Sequence, residues 1–207
     1  MTIKQIYNLA IEMGIEADLR GKEKVKKYLA RQKEKFAKLS PDKKKEFDQE
    51  RLTNPYSDTR ILNETKKTIK KILAGIDIGV GELLLAKELG GVDLIISHHP
   101  HGQALANLDD VMHLQADILA QYGVPINIAE VLLKLRISEV SRSISPANHN
   151  RVVDAAKLLN LGFMCVHTPI DNLVANFFDK KIKKDKPEYV GDILKSLKEI
   201  PEYREAI

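Results

Sequence analysis

The sequence predicts an α/β fold in which βαβ units build a parallel sheet, with a helical hairpin at the N-terminal side. Short apolar and β-branched runs alternate with longer amphipathic runs from residue 68 onwards, and glycines separate many of them. Strands of about 5–6 residues that alternate with helices of roughly 10–15 residues are typical of a parallel sheet. The chain has 207 residues and is 43% hydrophobic, so it can form a substantial core.

The first third of the chain carries its basic charge. Residues 1–71 contain 19 Lys and Arg against 11 Asp and Glu, whereas residues 72–207 contain 14 against 18. Residues 22–50 predict a helix, a turn and a second helix, because apolar residues recur at near-heptad spacing and the Ser40–Pro41 pair is typical of a helix start. Acidic residues are interspersed with the lysines, which favours a solvated accessory over an arm that binds nucleic acid.

A turn-rich segment, residues 52–64, is predicted to link this hairpin to the rest of the chain. We therefore divide the chain into residues 1–66, a helical extension with its linker, and residues 67–207, an α/β domain. Strands are predicted at 68–78, 92–97, 124–129 and 163–167, and helices at 79–91, 108–123, 130–144, 150–162, 169–184 and 190–207.

The composition excludes several classes of protein and site. Cys165 is the single cysteine, so neither an internal disulfide framework nor a CxxC zinc site can form. No apolar run approaches the roughly 20 residues that span a bilayer, and no secretory leader pattern is present. Trp is absent and aromatic residues make up 5%, which argues against a stacking surface for single-stranded nucleic acid. We expect a cytoplasmic protein.

Histidines follow two of the predicted strands directly. In "DLIISHHPHG" an apolar run ends at His98 and His99, and "FMCVH" ends at His167. The carboxyl ends of parallel strands meet at one edge of a sheet, where ligands bind in open α/β folds. Asp171 lies in the first turn of the helix that follows His167, so its carboxylate is expected at the same edge.

Imidazoles together with a carboxylate are a typical ligand set for Zn, Fe, Mn or Co. Two adjacent histidines in extended backbone point to opposite sides, so His98 and His99 require either a turn or two separate ions. Pro100 favours a turn, because it keeps His99 out of helical geometry. Taken alone, Asp171 is more typical of a helix cap than of a metal ligand, but all four residues at one sheet edge favour a metal site.

His101 and Asp77 are weaker candidates for a catalytic role. His101 follows the histidine pair and is expected near the site or in solvent, where it could assist proton transfer. Asp77 ends a predicted strand at the same edge and could cap the next helix or line a pocket.

The segments "GIDI", "VDLIISHHP" and "CVHTPIDN" resemble the Nif-three-like family (NGG-one-interacting factor three), some members of which are described as GTP cyclohydrolase I type two homologues. The resemblance covers roughly residues 69–176. The lysine-rich hairpin lies outside the common family core and is similar to a feature of a bacterial and archaeal subgroup.

The resemblance implies an α/β fold with a dinuclear metal centre, often in toroidal hexamers. His98 and His99 match the histidine pair of the family, His167 matches its later histidine, and Asp171 matches the aspartate that bridges the ions. Members usually supply a further histidine and an acidic residue from a C-terminal segment, and no histidine follows His167 here. We therefore expect residues 67–207 to lack the C-terminal part of the domain and to carry an incomplete centre.

Two classes of function follow from this resemblance. The first is a metal-dependent hydrolase with two divalent ions (Zn, Fe, Mn or Co) and an unknown small-molecule substrate, and the alternative is a non-catalytic metal-binding protein with a regulatory or chaperone-like role. A homo-oligomer, with a hexamer as one form, is the expected assembly. Nucleic-acid binding depends only on the basic first third of the chain and is disfavoured.

Overall fold

A four-stranded sheet forms the centre of the protein, as seen in a computed structural model that describes residues 1–205. The strands are β1 (Arg60–Asn63), β2 (Ile72–Gly75), β3 (Leu94–Ser97) and β4 (Gly162–Cys165), in the spatial order β1-β4-β3-β2. β2 pairs parallel with β3, and β3 pairs parallel with β4. β1 pairs antiparallel with β4. The predicted α/β fold class is confirmed, with one antiparallel strand that the sequence did not predict.

Helices precede, connect and follow the strands of this sheet. They are α1 (Ile3–Ala17), α2 (Lys22–Ala37), α3 (Pro41–Glu46), α4 (Val80–Leu89), α5 (Gly102–Ala106), α6 (Leu108–Val111), α7 (Leu114–Gln121), α8 (Ile126–Ile144), α9 (Arg151–Leu158), α10 (Thr168–Asp185), α11 (Val190–Leu197) and α12 (Pro201–Arg204), with a 3₁₀ turn at Gln49–Leu52. Helices α2 and α3 are the predicted hairpin, and the Ser40–Pro41 pair starts α3 as expected.

Two apolar layers cover the two faces of the sheet. On one face, Ile95 and Phe163 pack with buried residues of α4 and α9. On the other face, Leu94 and Met164 pack with buried residues of α1. Neighbouring residues of a strand point to opposite faces, so β3 and β4 are mostly apolar, apart from Ser97 at the end of β3, because both faces are covered. This explains why the predicted strands are continuous apolar runs rather than alternating ones.

Helix α1 packs closely against the start of α10. A methyl group added at Gly14 would lie 2.7 Å from the Cβ atom of Pro169, which is closer than side-chain carbons approach each other. A glycine at this position therefore lets the two helices meet. At the start of α1, Thr2 accepts a hydrogen bond from the backbone of Gln5, and the Gln5 side chain accepts one from the backbone of Thr2. This reciprocal capping box fixes where the helix begins.

The predicted strand at 124–129 is wrong. Residues 126–129 form the first turn of α8, which begins directly after Pro125. A short apolar run has no periodicity that separates a strand from a helix, and Pro125 is well suited to the start of a helix. The predicted helix at 108–123 is interrupted between α6 and α7, and the final predicted helix is divided by Pro201, which begins α12. Residues 206 and 207 of that prediction lie outside the described residues.

The predicted linker at 52–64 contains strand β1, which the turn-rich composition did not reveal. Residues on both sides of the predicted boundary at 66/67 therefore share one sheet, and the division of the chain into two parts stays a prediction. Within residues 1–205, no helix combines the length and the apolar character that crossing a membrane requires.

Candidate metal centre

Three histidines meet where the parallel strands end. His98 and His99 follow β3 directly, and His167 lies two residues beyond the end of β4. One ring nitrogen from each of the three lies within 4.8 Å of the other two. The ring centroids of His98 and His167 are 4.7 Å apart, in a nearly stacked arrangement. The parallel register of β3 and β4 brings these residues together, although they are far apart in sequence.

A turn of the backbone directs His98 and His99 towards the same space. The amides of His98 and His99 donate to the carbonyl oxygens of Gly75 and Ile76, both at 2.9 Å. The Ser97 hydroxyl donates to the carbonyl oxygen of His99 at 2.6 Å, which closes the turn locally. The two rings lie 5.2 Å apart, so they are not on opposite sides as they would be in extended backbone.

His167 occupies the N-cap position of α10. Its backbone amide donates to the Thr59 hydroxyl at 3.1 Å. Thr168 is the first residue of this helix, and its hydroxyl donates to Asp58 at 2.6 Å. Pro169 follows in the first turn, where the missing amide hydrogen costs no helical hydrogen bond.

Asp171 lies in the first turn of α10 and faces the histidines. Its Oδ1 is 3.5 Å from Nε2 of His98, and its Oδ2 is 3.7 Å from Nδ1 of His167. These distances are longer than a good hydrogen bond, and about half of the side chain is exposed. The carboxylate is therefore close to the imidazoles without being tied to them. The structure brings the four predicted ligands together at one edge.

Each histidine has an acceptor next to its Nδ1 atom. These acceptors are the carbonyl oxygen of Val166 for His98 (3.3 Å), Asp77 for His99 (2.6 Å) and Asp58 for His167 (2.9 Å). An acceptor at Nδ1 favours the tautomer with the proton on that atom, and it leaves the lone pair of Nε2 free. Histidines that bind metals are commonly held in this way by carboxylates and carbonyls. The donor set therefore fits a divalent metal ion.

Asp58 is a functional candidate that the sequence did not reveal. It lies in the turn-rich segment before β1, it is fully buried, and its Oδ2 accepts from both His167 and Thr168. No local pattern distinguishes it from the other polar residues of that segment. Its position beside His167 follows only from the pairing of β1 with β4.

Comparison with solved structures finds a NIF3 superfamily protein from Sphaerobacter thermophilus. The two chains superpose with a TM-score of 0.67 and are 30% identical over the aligned part, which covers 72% of this chain and 56% of that chain. The chain has a NIF3-like fold. No protein-family model and no curated protein matches it. The chain thus aligns with little more than half the length of the NIF3 superfamily protein.

Burial and nearby carboxylates act in opposite directions on the pKa of His167. Burial alone would lower the pKa of His167, but the hydrogen bond and the charge of Asp58, with the charge of Asp171, outweigh burial and raise that pKa. The carboxylates of Asp58, Asp77 and Asp171 lie 2.6–3.7 Å from histidine nitrogens, and within residues 1–205 none of them pairs with a lysine or an arginine. An edge with unneutralised carboxylates attracts cations rather than anions.

His101 lies to one side of this cluster. Its ring packs against Phe163 with centroids 5.6 Å apart, and burial lowers the pKa of His101. Its Nε2 atom is buried and has no hydrogen-bond partner within the part of the chain that the structure describes. Asp77 is exposed and accepts from His99. Catalytic roles for His101 and Asp77 stay predictions.

Proposed function

We propose that this edge of the sheet is a dinuclear centre for divalent metal ions and that the protein is a metal-dependent hydrolase. The observation that supports it best is the shared arrangement of the three histidines. An acceptor engages Nδ1 of His98, His99 and His167, and each ring keeps a free Nε2. Asp171 adds an exposed carboxylate beside them, so the donor set of nitrogen and oxygen suits Zn, Fe, Mn or Co.

Bound ions of this kind lower the pKa of a coordinated water and polarise a phosphoryl or carbonyl oxygen, which is the chemistry of hydrolysis. The protein's own residues orient the ligands. Asp58, Asp77 and the Val166 carbonyl hold the rings, and the turn closed by Ser97 keeps His98 and His99 on one side. His101 follows the histidine pair and packs against Phe163, and burial lowers its pKa, so it is our candidate for moving a proton near the centre.

Metal binding is tested first, by titration calorimetry of the metal-depleted protein with Zn²⁺, Mn²⁺ and Co²⁺. We expect saturable binding and, with Co²⁺, visible absorption bands that report nitrogen ligands. His98→Ala and His167→Ala should each weaken binding by more than about 100-fold, because loss of a ligand exceeds loss of an orienting partner. His113→Ala is the matched control, because this histidine is exposed and lies between α6 and α7.

The proposed centre is refuted if the wild-type protein binds none of these ions, or if the two histidine variants bind as the control does. Hydrolysis is tested separately by comparing metal-loaded and metal-depleted protein on a panel of phosphate esters and amides. Metal binding without turnover on any of them would favour the alternative, a metal-binding regulatory or chaperone-like role.

Assembly into a homo-oligomer stays a prediction of the family resemblance. Light scattering coupled to size-exclusion chromatography, with and without the bound ion, measures it directly. A monomer under both conditions would show that the centre does not depend on a second copy.

A further inference from the structure

Asp58 is a fully buried carboxylate beside the proposed metal centre. Burying an ionised carboxylate costs free energy unless hydrogen bonds or an opposite charge compensate it. Thr168 donates to its Oδ2 at 2.6 Å, and Thr59 donates to its Oδ1 at 3.3 Å. The remaining partner is Nδ1 of His167, at 2.9 Å from Oδ2. Within residues 1–205, no lysine or arginine pairs with Asp58.

The register of the sheet places Asp58 beside His167. Arg60 pairs with Cys165 across the antiparallel ladder of β1 and β4. Asp58 lies two residues before Arg60, and His167 lies two residues after Cys165, so the same antiparallel alignment brings them opposite each other just beyond the ends of the strands. Strand β1 therefore contributes more than an edge to the sheet, because its pairing with β4 places the preceding Asp58 beside His167.

We propose that Asp58 is a positioning residue that holds His167 as its Nδ1–H tautomer and directs Nε2 of this ring to the metal ion. The inference rests on the proposed metal centre. Thr59 and Thr168 fix the carboxylate from two sides, and Thr59 also accepts from the backbone amide of His167. Thr59 thus contacts both the carboxylate of Asp58 and the backbone of His167. This shared contact fixes the orientation of the His167 ring, and Asp58 fixes its tautomer.

The tautomer can be measured in the metal-free protein. In ¹⁵N-labelled histidine, two-bond proton–nitrogen correlation spectra distinguish Nδ1–H from Nε2–H rings, and the His167 signals are those missing in His167→Ala. At alkaline pH, where the ring is neutral, we expect the Nδ1–H form in the wild-type protein, because Asp58 lies 2.9 Å from Nδ1. An Nε2–H ring at His167 would overturn the proposal, whatever the variants of Asp58 do.

The second readout is metal affinity in Asp58→Asn. Loss of an orienting carboxylate typically weakens metal binding about 10–100-fold, so we expect a loss in that range together with a changed His167 tautomer. Asp48→Asn is the matched control, because Asp48 is a partly buried carboxylate that pairs with Arg60 and contacts no histidine. The control should bind the ion as the wild-type protein does.

The outcomes separate the inference from the function on which it rests. If the wild-type protein binds the ion and a folded Asp58→Asn variant binds it within about threefold of the wild type, the metal centre stands and the role of Asp58 is refuted. If the wild-type protein binds no ion, the proposed function fails, and the tautomer of His167 still decides whether Asp58 positions the ring. If Asp58→Asn does not fold, the wild-type spectrum decides.

Discussion

Two groups of carboxylates in this protein differ in their partners. Asp18 and Asp48 are paired with arginines: Asp18 accepts from two nitrogens of Arg20, at 3.0 and 2.8 Å, and Asp48 accepts from two nitrogens of Arg60. Asp58 and Asp77 are paired with histidines at the carboxyl edge of the sheet. We refer to these as the arginine-paired and the histidine-paired carboxylates.

The two partners differ in whether a nitrogen lone pair remains free after the carboxylate is bound. A guanidinium is always charged and only donates, so its pair with a carboxylate satisfies both groups. Asp18 also accepts hydrogen bonds from Tyr56 and Asn172, and this network connects the end of α1 to the start of α10. A neutral imidazole donates from one nitrogen and keeps a lone pair on the other. Arginine pairing therefore completes a structural contact, whereas histidine pairing prepares a ligand.

The largest effect we expect within the arginine-paired group is on stability. Asp18→Ala leaves the guanidinium of Arg20 buried with only a distant contact to Asp117, so it should lower the free energy of unfolding by about 3–5 kcal/mol. Urea denaturation followed by circular dichroism measures this change. Glu16→Ala, which breaks an exposed ion pair with Lys22, is the control and should leave the midpoint close to that of the wild type. A loss for Asp18→Ala as small as that of the control would show that this network is not structural.

The next effect is a pH dependence at Asp48. Burial alone would raise its pKa, but the hydrogen bond and charge of Arg60 outweigh burial and lower it. A carboxylate with a lowered pKa stabilises the folded state above its unfolded pKa of about 4, and this stabilisation is lost as the pH falls through the lower folded pKa. Asp48→Asn should therefore be less stable than the wild type by roughly 1.5–3 kcal/mol at neutral pH.

The two proteins should converge as the pH falls below about 4, because the wild-type Asp48 then becomes protonated as well. Urea midpoints of both proteins across this range measure the difference. A gap that stays constant down to the lowest pH at which both still fold would contradict the assignment to Asp48.

Local patterns predicted the parallel core and the four residues at its edge. Each strand from β2 to β4 overlaps a predicted strand, although the predicted strand at 68–78 is longer than β2, and His98, His99 and His167 follow apolar runs in the sequence. The carboxyl ends of parallel strands meet, so no contact between distant residues had to be known.

The rest of the site depends on pairing that no local pattern encodes. β1 is four residues inside a turn-rich segment, and its partner β4 lies about a hundred residues further along the chain. Asp58 contacts His167 only because β1 and β4 pair in this register. The Ser97 hydroxyl can donate to the carbonyl oxygen of His99 only because the backbone turns after β3. The strand wrongly predicted at 124–129 shows a related limit, because a short apolar run does not distinguish a strand from the first turn of a helix.

The smallest effect we expect separates the two histidine-paired carboxylates from each other. Asp58 is fully buried, whereas the side chain of Asp77 is 83% exposed and that of His99 is 49% exposed. Water can replace an exposed acceptor and salt screens its charge, so Asp77 should matter less although its hydrogen bond is the shorter one. Asp77→Asn should weaken metal binding less than about fivefold, against about 10–100-fold for Asp58→Asn. Titration calorimetry of both variants, in low salt and in high salt, makes the comparison, and the remaining effect of Asp77→Asn should shrink in high salt. Equal losses for the two variants would show that the charge of the acceptor, and not its burial, determines how firmly a histidine is held for the ion.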